Sequence, residues 1–192
     1  MTEKPSYLGL LNAIAVGERG GEELFEAWAS ATTNEDVRCV ARTVALREGE
    51  HARSFAKRID ELGYGVLEKD DPGLPARVEI AGSTTLTDRE KFEKLGFNRD
   101  AKPGPDVFAK FFDDVTMDIE TGTLMGRYVS EERDTGRRLR ACYAALVACD
   151  EAATESTATA VGELSARLER IECALADLVE AASGGKKSTK KG

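Results

Sequence analysis

Histidine is nearly missing from this chain: His51 is the only one among 192 residues. Any metal site must therefore lean on carboxylates, and that single imidazole limits every metal-based reading. The four cysteines, Cys39, Cys142, Cys149 and Cys173, are scattered. Without a Cys-x-x-Cys pair they do not suggest a zinc knuckle or a rubredoxin-type iron centre. They are expected to pack as small apolar residues in a reducing compartment. Long apolar runs are also lacking. The longest near the start, LGLLNAIAV, falls short of the about 20 residues that span a bilayer. It has no positively charged lead either, since Glu3 and Lys4 cancel. Neither a signal peptide nor a membrane partner is expected, and the location reads as cytoplasmic. Net charge is −8 although the last ten residues, SGGKKSTKKG, hold four lysines. The body before them is more acidic still, which argues against nucleic acid as a partner because phosphate would be repelled.

What is present is charge mixed with aliphatic side chains: 32% charged and 41% hydrophobic residues, with frequent Ala, Leu, Glu and Arg. That composition reads as a soluble helical protein, and the length suits one domain with a substantial core. Steps of three and four residues through Tyr7, Leu11, Ile14, Gly21, Phe25 and Trp28 predict a first helix over about 5–30. The same series passes through Glu18, a carboxylate that is costly there unless something pairs with it. Asn34 is placed to cap a second helix, about 34–63, with Val37, Ala41, Val44, Ala52, Phe55, Ile59 and Leu62 inward and Gly63 at its end. Glu48 falls on that stripe with His51 beside it. Residues three apart share a helix face, so both can reach one cation. The short connection between the helices makes them antiparallel.

From 64 to 105 the helical period gives way to turn formers, including Asp70-Asp71-Pro72-Gly73 and Pro103-Gly104-Pro105. Within this crossover, Thr87-Asp88 followed by REKFEKLGF predicts a short capped helix ending at Gly96, and Arg77-Val78-Glu79-Ile80 is compatible with an isolated strand. A third helix, about 106–149 with a break near Gly122, presents Phe108, Phe112, Val115, Ile119, Met125, Val129, Glu132, Gly136, Leu139 and Tyr143 inward. Asp150 is placed to cap a fourth, about 151–182, with the apolar series Leu164, Leu168, Ile171, Leu175 and Leu178. Residues 183–192 are expected to form a disordered tail. Glu18 precedes Glu48 by 30 residues and Glu132 precedes Glu163 by 31, a weak internal repeat. The expected fold is all-α: a four-helix bundle with a long crossover containing one or two short extra helices, the glutamates meeting near its middle.

Residues 11–63, with Glu18, the Glu48/His51 pair and the continuation ARSFAKRIDELG, resemble the first half of rubrerythrin-like members of the ferritin-like superfamily. The second half matches by spacing alone. The resemblance implies iron, or less readily manganese, held by one glutamate from each of two helices and a Glu-x-x-His from each of the other two. Carried over by position, the metal residues are Glu18, Glu48, His51, Glu132 and Glu163. The fourth helix departs from the pattern: if Glu163 is the matching carboxylate, Ala166 stands at the second histidine, and if the apolar register is matched, Leu164 and Arg167 occupy the two ligand places. Two outcomes remain open. The implied enzyme is a non-haem iron oxidoreductase reacting with oxygen or peroxide and drawing on an external electron donor. The alternative is a metal-free helical module, dimeric with a second copy, in which Arg133, Arg137 or Arg167 neutralises the carboxylates.

Glycines flank three of these positions, at Gly17, Gly49 and Gly162. Each costs roughly 1 kcal/mol in a helix interior, which a close helix approach or a local bulge near the polar centre would explain. Trp28, Tyr128 and Tyr143 are assigned to the core.

Overall fold

The computed structural model describes residues 4–98 and 113–184, with side chains to residue 180. Among the described residues the protein is all-α, with five helices and no strand: α1 (Leu8–Ala31), α2 (Glu35–Glu61), α3 (Leu74–Gly82), α4 (Asp88–Leu95) and α5 (Ile119–Gly184). None of them is long and apolar enough to cross a membrane. The chain forms two compact units, Met1–Leu146 and Val147–Gly192.

In the first unit α1 and α2 run antiparallel. Residues from the start of α1, Leu11 and Ile14, pack with Phe55 and Ile59 from the end of α2, while Leu24 and Trp28 pack with Val37 and Val44 from its beginning. The link is short, and its last residue is the N-cap of α2. Asn34 Oδ1 accepts from the Asp36 and Val37 amides at 3.0 and 3.2 Å, satisfying donors that the first helical turn leaves open. Past the end of α2, Gly63 takes a left-handed φ of 82°, and Tyr64 N returns to Ile59 O at 3.1 Å, a stop that favours glycine. The expected capping of α4 is also found. Thr87 and Glu90 bond reciprocally across its first turn, and Gly96 closes it at φ 78°.

The two crossover helices cover one end of the α1–α2 pair. Leu74–Gly82, where a strand was conceivable, is helical: Pro75 suits its first turn, and Val78 and Ala81 join the core around Trp28. Beneath α4, the Asp88 carboxylate accepts from Trp28 Nε1 at 2.8 Å and Thr32 Oγ1 at 2.5 Å, and Phe92 meets the Trp28 ring edge-on at 4.8 Å.

Several expectations for the second half are corrected. Val115 and Ile119, assigned inward, are 99% and 84% exposed. The cause is Asp118, whose carboxylate accepts from Thr121 N at 2.8 Å and from the Thr121 hydroxyl. That cap starts the helix at Ile119, so the apolar register counted from 106 does not apply to it. Asp118 also accepts from the Tyr7 hydroxyl at 2.8 Å and Arg58 Nη2 at 2.7 Å, tying the start of α5 to α1 and α2. Residues 106–112, with Phe108 and Phe112, lie outside the described residues, as do 103–105 and 185–192. Gly122 does not break α5, and neither does Asp150 start a new helix. Between Gly136 and Gly162 the sequence has no glycine or proline to stop the helix and is rich in alanine, its best former. Thr154 Oγ1 bonds back to Asp150 O at 2.8 Å, as a residue inside a helix does. The helix expected over 151–182 is thus the continuation of α5, and the backbone of residues 183–184, assigned to the tail, is helical too. Cys142 is half-buried and packs against the core cluster around Trp28, as expected, whereas Cys39, Cys149 and Cys173 are exposed and do not. Cys39 lies between the buried Val37 and Ala41, off the inner stripe of α2.

The core of the first unit is divided. One apolar cluster gathers Leu11, Ile14, Phe55, Ile59, Met125 and Val129. The other gathers Phe25, Trp28, Val37, Val44, Phe92 and Leu139. On all three long helices the residues between the two clusters, Glu18, Glu48–His51 and Glu131–Glu132, are polar.

Candidate metal centre

This polar layer is built by helix periodicity. Glu18 continues the inner stripe of α1, Glu48 and His51 that of α2, and Glu132 that of α5, so burial of the apolar clusters on either side carries the acids inward with them. Glu18, Glu48 and His51 are 7%, 8% and 3% exposed, a degree of burial that carboxylates tolerate only with compensation.

His51 is the hub. Its Nδ1 lies 3.2 Å from Glu18 Oε2 and its Nε2 lies 2.7 Å from Glu131 Oε2. Tyr128 stands edge-on to the imidazole, ring centroids 5.0 Å apart, and donates its hydroxyl to Glu18 Oε1 at 2.9 Å. Glu132 Oε1 is 3.8 Å from His51 Nδ1, too far for a hydrogen bond, and is buried with no hydrogen-bond partner. One ligand atom each from Glu18, His51 and Glu132 lies within 4.8 Å of the others.

The electrostatics follow from packing acids together. Burial, then the hydrogen bond and charge of Glu18, then the charge of Glu132 push Glu48 up to about 10, so it is a neutral acid at pH 7. Burial and Glu18 raise Glu132 to about 7 against the pull of His51 and Arg47. Burial opposes a charge on His51, but the hydrogen bonds to Glu18 and Glu131 outweigh it and raise its pKa. Burial likewise disfavours a charged Glu131, yet His51 and Arg127 hold its carboxyl below the usual range. Tyr128 is raised by burial and by the charges of Glu18 and Glu132, which keeps it a hydrogen-bond donor.

Four of the five expected ligands, Glu18, Glu48, His51 and Glu132, are brought together. Glu163 lies in the second unit and is exposed. Arg133 and Arg137 are exposed, Arg137 pairing with Asp134 at 3.3 Å, and Arg167 is exposed in the second unit. Arg47 pairs with Asp134 at 2.8 Å and donates to Thr135 Oγ1 at 3.2 Å, acting on Glu132 through its charge.

Sequence periodicity missed Glu131 and the polar role of Tyr128. Glu131 sits one position off the stripe, and the available signal was Arg127 four residues earlier, whose Nε bonds Glu131 Oε1 at 3.0 Å. The glycine expectation is met differently. A Cβ on Gly17 or Gly162 would touch nothing, whereas one on Gly21 would lie 2.5 Å from Glu48 Oε2 and one on Gly49 would lie within 2 Å of the Glu22 carboxylate. Gly21 is thus the residue that lets Glu48 lie against α1. Beside it a cavity of about 400 Å³, lined by Gly17, Gly20, Gly21, Phe25, Glu48 and Glu132 among others, reaches the two carboxylates. The residues suit a divalent cation: the donor set is carboxylate and imidazole, one buried oxygen has no partner, and protons hold down charge that a cation would neutralise. No family model, no curated protein and no solved structure matches the chain.

Proposed function

We propose that the first unit is a ferritin-like helical protein that binds iron, or manganese in its place, and reacts with oxygen or peroxide. The observation that carries this reading is the buried Glu18–His51–Glu132 group with Glu132 Oε1 left unpartnered. Glu18, His51 and Glu132 would hold the cation, with Glu48 as a further carboxylate once it gives up its proton. Bound iron would supply a one-electron couple for reduction of oxygen or peroxide.

The chain's own residues do the rest. Glu131 accepts from His51 Nε2 and thereby turns Nδ1 toward Glu18 and Glu132, the orienting role that a carboxylate plays behind a metal-binding histidine. Glu131 is itself fixed by Arg127. Tyr128 holds one Glu18 oxygen and leaves Oε2 facing the imidazole. A bound cation would take the place of the protons on Nδ1, Glu48 and Glu132, and the cavity beside Gly21 would give a small oxidant a way in. Electrons would come from an external donor.

Anaerobic Fe(II) titration with metal counting, followed by exposure to oxygen and assay of remaining ferrous iron, tests the proposal. Retained iron that oxidises faster than free iron, with both effects lost in Glu18→Ala and His51→Ala, is expected. Iron that washes off the folded wild-type protein would sink it.

A further inference from the structure

From Val147 onward α5 carries an apolar face that nothing in its own unit covers. Val161, Leu164, Leu168, Ile171, Leu175 and Leu178 follow one another at steps of three, four, three, four and three. They are 50–66% exposed. A seven-residue repeat of this kind forms a narrow seam that closes against another helix carrying the same repeat.

We propose that this segment is a parallel, in-register, two-stranded coiled coil with a second copy of the chain. Charge on the flanks of the seam specifies both partner and direction. With Val161, Leu168 and Leu175 at the first core position of each heptad, Arg167 precedes the core residue Leu168 and Glu172 follows the core residue Ile171. In a parallel pair the Arg167 position faces the Glu172 position of the second copy, and two-fold symmetry makes the contact twice. In an antiparallel pair that overlaps the same six core residues, Arg167 would face Ala174 and Glu172 would face Ser165. Only the parallel arrangement satisfies both charges. Val161 followed by Leu164, a β-branched residue and then leucine at the two core positions, favours two strands, whereas Leu168 followed by Ile171 has the order that favours three or four, so the measured mass decides the strand number. The outward positions suit solvent, with Glu163, Glu169, Arg170, Asp177 and Glu180 outside the seam. Cys173 is also outside it, so it does not meet its counterpart in this arrangement.

The test uses the full chain under reducing conditions, with mass measured by light scattering. A mass twice the 20.8 kDa of the chain is expected, and it should fall to the single-chain value in Leu168→Glu/Leu175→Glu while the Trp28 fluorescence of the first unit is unchanged. A wild-type mass of one chain, or of three or four, overturns the proposal. Direction is read by oxidation: Leu164→Cys should give a covalent dimer joined at residue 164, while the native Cys173 gives none. If Leu164→Cys forms a dimer by mass yet no disulfide, or if Cys173 cross-links efficiently in the wild type, the parallel in-register arrangement is wrong.

Discussion

The middle of the first unit buries acids, and the helix beyond Val147 exposes leucines. Each region inverts the usual distribution of polar and apolar side chains. In the first, Glu18, Glu48 and His51 lie between two apolar clusters and are held there by protons and hydrogen bonds. In the second, six aliphatic residues in heptad spacing stand at least half exposed. A buried acid cluster with an unpartnered oxygen has the chemistry that suits a cation. An exposed heptad seam flanked by Arg167 and Glu172 specifies a helix by its shape and charge. The same rule, that every buried charge and every large apolar face needs a counterpart, reads both regions.

Removing the hub of the first region should have the largest effect. His51→Ala leaves Glu18, Glu131 and Glu132 without their common partner, so Fe(II) or Mn(II) binding should be abolished in equilibrium dialysis. Retention of binding would place the cation on surface acids.

Glu131→Gln sharpens the role of the residue that periodicity missed. It leaves the three nearest ligand groups in place but weakens the acceptor that turns His51 Nδ1 inward. Cation affinity should fall about 10- to 100-fold, with a smaller loss for Glu131→Asp. An affinity unchanged in Glu131→Gln would show that His51 is oriented by packing against Tyr128 alone.

A smaller effect is the pH dependence of the metal-free protein. Glu48 and Glu132 have folded-state values of about 10 and about 7, above the 4.5 of an unperturbed glutamate. The native state therefore keeps protons that the unfolded chain has lost, and stability falls as pH rises from about 4.5 through 7 and beyond. His51, raised above 6.5, acts in the same direction: its contribution is complete below its unfolded value and is lost as pH rises through the folded one. The depressed Glu131 contributes with the opposite sign, as pH falls below about 4.5. In chelator the melting temperature should be higher at pH 5.5 than at pH 8.5, and Mn(II) should narrow the gap by replacing protons. A melting temperature that rises across this range would mean that the acids are not buried together.

The comparison also predicts a null result. Leu168→Glu/Leu175→Glu should leave Mn(II) affinity within twofold of wild type, because all the proposed ligands belong to the first unit. A large loss would mean that the centre depends on the second unit.

Much of the first unit was legible in the sequence because its signals are local. The inner faces of α1 and α2, the Asn34 cap, the Thr87–Glu90 box and the stops at Gly63 and Gly96 each depend on residues within a few positions of one another. Glu18, Glu48, His51 and Glu132 were visible as polar breaks in apolar stripes. Features set by tertiary contact were not. Asp118 caps α5 while bonding Tyr7 and Arg58 from distant parts of the chain, and that resets the register in which Val115 and Ile119 looked inward. Leu74–Gly82 is too short to show a period. Asp150 looked like a cap, but no breaker stands before it.

The most direct measurement is Mn(II) binding followed by calorimetry near pH 7 in buffers of different ionisation enthalpy, which counts cations and released protons together. One cation per chain, with net proton release from Glu48, Glu132 and His51, is predicted, and Glu18→Ala should lose both signals. Binding without proton release, or equal binding by wild type and Glu18→Ala, would contradict a cation in the buried cluster.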